Sequence, residues 1–381
     1  MTTTSNISTR PPPIPALTGM RSIAALSVAL SHYTNLRLLP LPLSFSGMLD
    51  GGRPAVSFFF ILSGFVLSYN YSSRSASTSR FYQARFARIY PTHLLCLLIS
   101  AIPVIILIHR HDTLGILDRY AIRGNLLHGF LAALAAQLLL LTAWLPFAAL
   151  NQPWNGPAWS ISCEAFFYAI FPFISKRLKN RKSSHLRAIA ALLWLSQGVL
   201  IIGILHFASY HRKGFLATQF PLVHVSEFLI GMIVALLCLR KELPVFVYRS
   251  PALVVSLCLL AIASLASWDA PLPQAYLQIP CFVGIISATA ACPHRFAVLQ
   301  TRPLVLMGEA SFALYLVHIP IAYAGILLGV TMHYGWILLI LTILLSIAMI
   351  LLYEEPMRKR VLAAFQHHSQ RDRLPTRTAI Y

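Results

Sequence analysis

The sequence predicts an all-α fold: a polytopic bundle of transmembrane helices. Three observations predict it. Of 381 residues, 57% are hydrophobic and only 11% charged, and the mean hydropathy is +0.69. An ordinary soluble domain is about a quarter charged, and a soluble chain this apolar could not cover its own surface with polar groups. Second, the apolar runs are spread almost end to end, so one bundle is expected where length alone would suggest roughly two or three soluble domains. Third, the net charge of +19, from 30 Lys+Arg against 11 Asp+Glu, falls in short loops between apolar runs. That is how positive loops set membrane topology, and it argues against a nucleic-acid patch.

A spanning helix needs about 20 mostly apolar residues. Ten segments qualify: about 17–39, 55–70, 89–108, 158–174, 188–208, 220–239, 251–268, 273–292, 304–330 and 335–353. An eleventh, about 125–148, is apolar but ambiguous. With both termini inside and ten spans, the inner side holds Arg74, Arg80, Arg85 and Arg88. It also holds the run Lys176, Arg177, Lys179, Arg181, Lys182 and Arg187, then Arg240, Lys241, Arg249, Arg295, Arg302, Arg358, Lys359 and Arg360. The outer side holds Arg53, Arg110, Arg119, Arg123, Arg212 and Lys213. If 125–148 also crossed, the strongly basic 176–187 loop would move outside. The segment is therefore expected to be re-entrant or to lie in the bundle without crossing. Irregular membrane backbone is tolerated only inside protein or beside a water cavity.

The expected organisation is a disordered cytoplasmic tail at 1–16, a membrane domain at 17–360 and a basic cytoplasmic tail at 361–381. The stretch after the last span is too short for an appended catalytic domain, and no removable signal peptide is expected. The six cysteines lie in or beside apolar segments without a CxxC pair, so neither a disulfide framework nor a zinc site is indicated. Asn-x-Ser matches at Asn6 and Asn70 carry no weight.

Charges inside membrane spans are costly and tend to be functional, and that selects a short list. Arg21 and His32 lie in the first span. Eleven residues are close to three helical turns, which places them on one face about 16 Å apart. His32 is a candidate base; the bland alternative is a ring bonded to a backbone carbonyl, with a snorkelling Arg21. Arg85 and Arg88, at i,i+3, share one helix face and suit a phosphate, since each fork binds bidentately; either could instead be a topology anchor. Glu164 follows a Gly-Pro turn and Trp159, which could sit at the interface. Ser160, Glu164 and Tyr168 fall on one face at i, i+4, i+8. A carboxylate there could hold a cation, orient a histidine, bind sugar hydroxyls or stay protonated as a structural group. Glu227, Glu309, Tyr315 and His318 complete the embedded polar candidates, with interhelical hydrogen bonding favoured for Glu227. No Walker loop, GxGxxG, HExxH, GxSxG elbow or Asp-rich metal motif is present, which argues against an ATP-driven pump, a nicotinamide enzyme, a zinc protease and a standard esterase. No metal site is expected.

In order, these segments resemble the acyltransferase-3 family of integral membrane O-acyltransferases. Leu17-Thr-Gly-Met-Arg21-Ser22 followed by His32 resembles the family's Leu-Asp-Gly-Leu-Arg-Gly start and its later histidine. Phe59-Phe-Ile-Leu-Ser-Gly-Phe65, the Arg85 to Pro91 turn, Trp159-Ser160 with Glu164, Ser311 to His318, and Glu354 with Pro356 match in turn. The resemblance covers about residues 17–360. Thr18 replaces the usual Asp and Ser22 the usual Gly, so position 18 offers Arg21 no carboxylate.

The resemblance implies transfer of an acyl group, commonly acetyl, from cytoplasmic acetyl-CoA or a similar acyl-CoA to a glycan or other hydroxyl-bearing acceptor, with no permanently bound cofactor. It implies Arg85 and Arg88 on the coenzyme phosphates, with Trp159, Ser160, Tyr315 and His318 on substrate. His32 would serve as general base or acyl carrier, Arg21 as oxyanion or thioester partner, and Glu164 as acceptor ligand or partner of His32. The expected partners are acyl-CoA, a glycan or lipid-linked glycan and membrane lipids, in a bacterial inner membrane. The rival reading is a secondary transporter with His32 and Glu164 as a proton relay. The arginine pair separates the two, because a proton relay does not need it.

Overall fold

The computed structural model describes residues 11–42, 52–72, 77–266, 268 and 271–371, with side chains as far as 366. The expectations for the extreme tails, for Asn6 and for Arg74 lie outside the described residues. Among the described residues the chain is helical and has no strand. It is an integral membrane protein. Fourteen helices organise it: α1 (Pro15–Asn35), α2 (Arg53–Tyr71), α3 (Thr78–His109), α4 (Thr113–Tyr120), α5 (Leu126–Leu138), α6 (Trp159–Lys179), α7 (Ser183–Phe207), α8 (Tyr210–Gln219), α9 (Pro221–Leu239), α10 (Pro251–Ala266), α11 (Ile279–Ala291), α12 (Arg302–Leu327), α13 (Gly335–Met349) and α14 (Glu355–Arg371).

Each of the ten expected segments is helical, but the expected count of ten spans is not reached. Seven helices are long and apolar enough to cross a membrane, or eight if α11 and the turn Pro293–Gln300, bent by 98°, form one span. The two shortfalls have physical causes. α10 has 16 residues, about 24 Å at 1.5 Å per residue. α1 has 21 residues but carries Arg21, His32 and several hydroxyls, which lower its mean hydropathy. It begins at Pro15, where a proline at N1 costs no hydrogen bond, so the helix starts slightly before residue 17.

Two parallel helix pairs form the core. α1 packs on α12, with Gly308 against the Thr18 carbonyl and His32 against His318. α2 packs on α9, with Gly64 against the Phe228 carbonyl and Gly231 against that of Ile61. A Cβ at any of these glycines would overlap the facing backbone, so small residues set the close approach. Around the core, Arg240 donates to the carbonyls of Lys179 and Arg181, both at 2.8 Å, and to Ser183 Oγ at 3.0 Å. The 179–183 turn and the C-terminus of α9 therefore share one end of the bundle. Pro12 lies there too, since its carbonyl accepts from Tyr69 near the end of α2 at 3.1 Å. So does the start of α3, where Phe81 meets Tyr71 with ring centroids 5.2 Å apart. This is the basic end; His32, Arg53 and Pro221 lie toward the other.

The 125–148 segment is not one helix. α5 has 13 residues, too short for a hydrocarbon core of about 30 Å, and the chain then breaks into short turns. Buried Gln137 holds it to the bundle, donating to the carbonyls of Pro153 at 3.1 Å and Asn155 at 2.9 Å. Its own carbonyl takes a bond from His93 Nε2 at 3.0 Å. Protein groups thus satisfy the broken backbone.

Candidate active site

A cavity of about 160 Å³ opens at the basic end, lined by Arg21, Arg85, Arg88, Glu164, Tyr168 and Phe59 among others. A second, of about 50 Å³, shares Arg21, Phe59, Glu164 and Phe312 with it and continues to Ser160, Ser311 and Tyr315. The shared walls make one passage. Six of the nine expected site residues (Arg21, Arg85, Arg88, Ser160, Glu164 and Tyr315) line it. The i, i+4, i+8 face of α6 is the reason Ser160, Glu164 and Tyr168 appear together.

The two α3 arginines differ. The Arg85 guanidinium lies over three rings, 5.9 Å from Tyr71, 5.9 Å from Phe81 and 5.8 Å from Tyr168, an aromatic clamp of cation–π type. Its Nε has no partner among the described residues. Arg88 instead forms an ion pair with Glu354, which is 2% exposed and also accepts from Thr92 Oγ1 at 3.2 Å. Glu354 ends a π-helical turn, Ile350–Glu354, between α13 and α14; such turns are frequent at functional sites. Arg88 keeps further N–H groups for a ligand and is held in place while offering them.

Glu164 accepts from Tyr168 Oη at 2.8 Å and lies within electrostatic reach of Arg21 and both α3 arginines. It shares no hydrogen bond with His32. His32 does not line the passage: three turns of α1 carry it past Arg21 to a different level. Its partners are the Val28 carbonyl at 3.0 Å and His318 Nε2 at 3.2 Å, both at Nδ1. Those partners assign the protons. A carbonyl only accepts, so His32 Nδ1 carries a hydrogen. His318 Nδ1 carries one too, facing the Leu314 carbonyl at 3.3 Å. His318 Nε2 is then bare and accepts from His32, which leaves His32 Nε2 with a free lone pair. The histidine pair connects back to the passage, because the rings of Tyr315 and His318 lie 5.9 Å apart.

Two expectations are corrected. Trp159 is buried in protein: it is 9% exposed, packs edge-on against Phe60 and tilted against His224, and does not line the passage where a substrate contact was expected. Its aromatic body finds a core position at the start of α6. Glu309 is not buried in the bundle but exposed, between buried Gly308 and Ala310 on α12. Glu227 does bond between helices, taking Ser57 Oγ at 3.1 Å and Gln197 Nε2 at 2.9 Å. The sequence reading missed Phe59, Phe312 and the role of Glu354 against Arg88; for Glu354 the signal was a carboxylate at the end of the last apolar run.

The fold and passage define a polytopic membrane enzyme, and comparison with known proteins fixes its class. A family model described as an acyltransferase domain, that of acyltransferase-3, matches residues 14–354. The chain belongs to the acyltransferase-3 family and is an O-acyltransferase. It is 31% identical over 345 residues to the acyltransferase MdmB of Streptomyces mycarofaciens, covering 84% of this chain and 82% of that protein. It is 24% identical over 390 residues to the O-acetyltransferase OatA of Staphylococcus aureus, covering 92% of this chain and 58% of that longer protein. No solved structure matches.

Proposed function

We propose that the chain moves an acetyl group from cytoplasmic acetyl-CoA, or another acyl-CoA, to a hydroxyl of a cell-envelope or exported glycan. It would work in the plasma membrane with the basic end cytoplasmic. The observation that carries this reading is the passage from the arginines at the basic end, past Glu164 and Arg21, to Tyr315, whose ring lies against that of His318. Arg85 and Arg88 bind the coenzyme phosphates with charge-assisted forks. The thioester arm lies along the passage beside Arg21, whose cation orients it toward the histidine level. His32 Nε2 takes the proton of the acceptor hydroxyl. The new C–O bond forms as the C–S bond breaks. The departing thiolate takes up the proton, giving free coenzyme thiol and a glycan ester, and His32 returns to its neutral state. Glu164 and Tyr168 hold Arg21 and the α3 arginines in register.

Two measurements test this. Purified protein with acetyl-CoA and the acceptor glycan is expected to release thiol. Mass spectra of surface glycans from cells with and without the gene are expected to differ by one acyl mass per modified sugar. Identical spectra together with no thiol release would remove the reading.

A further inference from the structure

The arginine-lined cavity is too small to enclose a whole acyl-CoA. It holds about 160 Å³, against about 300–1,000 Å³ for a site that encloses a drug-sized ligand. The thioester arm is thin enough to enter it; the nucleotide is not. The nucleotide therefore lies at the basic mouth, and its phosphates follow one another on the way out. The diphosphate comes first after the arm, at the level where Arg85 and Arg88 line the cavity. The 3′-phosphate on the ribose lies beyond it. As a phosphomonoester it carries about −1.5 to −2 charge at pH 7, so a cation farther out is the group to seek.

α14 supplies one, because it runs back along α3. Tyr353 Oη donates to the Pro91 carbonyl at 3.3 Å, Glu354 pairs with Arg88, and the ring of Phe365 lies 6.2 Å from that of Phe86. As the chain runs from 353 to 365, its partners step back from 91 to 88 to 86. The two helices are therefore antiparallel, and α14 leads away from the cavity at the basic end. Glu354, Arg358, Val361 and Phe365 recur at intervals of four, three and four, which is one helix face. Burial agrees: Arg358, Val361 and Phe365 are partly buried, whereas Lys359 and Arg360 are exposed.

Arg358 thus stands one turn out from the carboxylate that grips Arg88, on the side that faces α3. It lies within electrostatic reach of Arg88, as Arg21 and Arg85 do. Its Nη2 donates to Glu355 Oε1 at 3.4 Å, a long contact that leaves other N–H groups of the fork for a ligand. A guanidinium fork suits a phosphate bidentately.

We propose that Arg358 binds the 3′-phosphate of the coenzyme and makes the enzyme selective for acyl-CoA over donors that lack this phosphate. The proposal rests on the acyl-CoA reading above and leaves the diphosphate to Arg85 and Arg88. Equilibrium binding of acetyl-CoA and of acetyl-3′-dephospho-CoA tests it, on purified wild type, Arg358→Gln and Arg360→Gln. Arg360→Gln removes the same charge from the exposed face. Wild type is expected to bind acetyl-CoA about tenfold more tightly than the dephospho form, the worth of one charge-assisted bond. Arg358→Gln is expected to bind both donors with the wild-type affinity for the dephospho form, which also shows that the variant is folded. Arg360→Gln is expected to keep the preference.

Four results overturn the proposal. Equal affinity of wild type for the two donors would mean that no residue reads the 3′-phosphate. A preference retained by Arg358→Gln would assign Arg358 to lipid phosphate at the membrane surface. Equal weakening of both donors by Arg358→Gln would make the residue a support for Arg88 or for the fold. The same loss of preference in Arg360→Gln would reduce the effect to the overall charge of α14. The donor reading is judged separately: a wild type that binds neither form overturns that reading before any variant is compared.

Discussion

Arg85 and Arg88 carry the same charge three residues apart, yet one is clamped between rings and the other is tied to a carboxylate. The difference sets unlike responses to substitution. Arg85→Lys keeps the charge but loses the planar fork and its stacking; acetyl-CoA affinity is expected to fall about tenfold, the worth of one charge-assisted bond, in an equilibrium binding measurement. Glu354→Gln removes the anion that orients Arg88. It is expected to raise the KM for acetyl-CoA with little change in kcat, since Glu354 acts through Arg88 and not on the acyl group; a fall in kcat alone would contradict this. For His318, the test is rescue. His318→Gln retains an acceptor for the His32 Nδ1 hydrogen and is expected to keep most activity. His318→Leu loses the acceptor, and its activity should approach that of His32→Ala, a loss of about 10²–10⁴-fold for a missing base. Much of this site was legible from spacing: the α6 face and the α3 pair follow from helical periodicity. The partner of Arg88 was not, because 266 residues separate it from Glu354 and only packing joins them. The His32–His318 contact, 286 residues apart, was hidden for the same reason.

At the scale of helices, α2 and α9 depend on Gly64 and Gly231. Gly231→Leu would drive a side chain into the Ile61 carbonyl. It is expected to destabilise the detergent-solubilised protein by about 1–3 kcal/mol, as overpacking does, read as a lower unfolding temperature. Gly203→Leu, where an added Cβ meets nothing within 4 Å, should leave that temperature unchanged. The ten apolar segments were legible because lipid-facing helices need long apolar runs, and each is helical. What composition could not give was length inside the bundle. α10 is short, α11 bends sharply after Ala291, and α1 trades hydropathy for the polar groups it brings to the core. The 125–148 region was ambiguous because its residues are as apolar as a span, while the break after Leu138 depends on Gln137 capturing carbonyls from a later turn.

For the molecule as a whole, the basic turns gather at one end. The packing accounts for this with Arg240 bridging to 179–183, Tyr69 to Pro12 and Phe81 to Tyr71. A single cysteine at exposed Lys182 or His211, in a background without native cysteines, tests which end faces the cytoplasm. An impermeant thiol reagent on intact cells is expected to label position 211 and spare position 182, as the positive-inside rule requires. Labelling at 182 would place the arginine-lined cavity outside, away from cytoplasmic coenzyme.

The π-helical turn at Ile350–Glu354 amounts to one residue more than a regular helix would need. Inserting one further residue between 350 and 353, beyond the one the wide turn already absorbs, would rotate everything after it by about 100°. Glu354 would swing off Arg88 and Thr92, and the basic face of α14 would turn with it. The reading frame of that helix is thus a hidden adjustment of the donor cavity: an alteration of chain length, with no change of charge or apolar content, is enough to detune it.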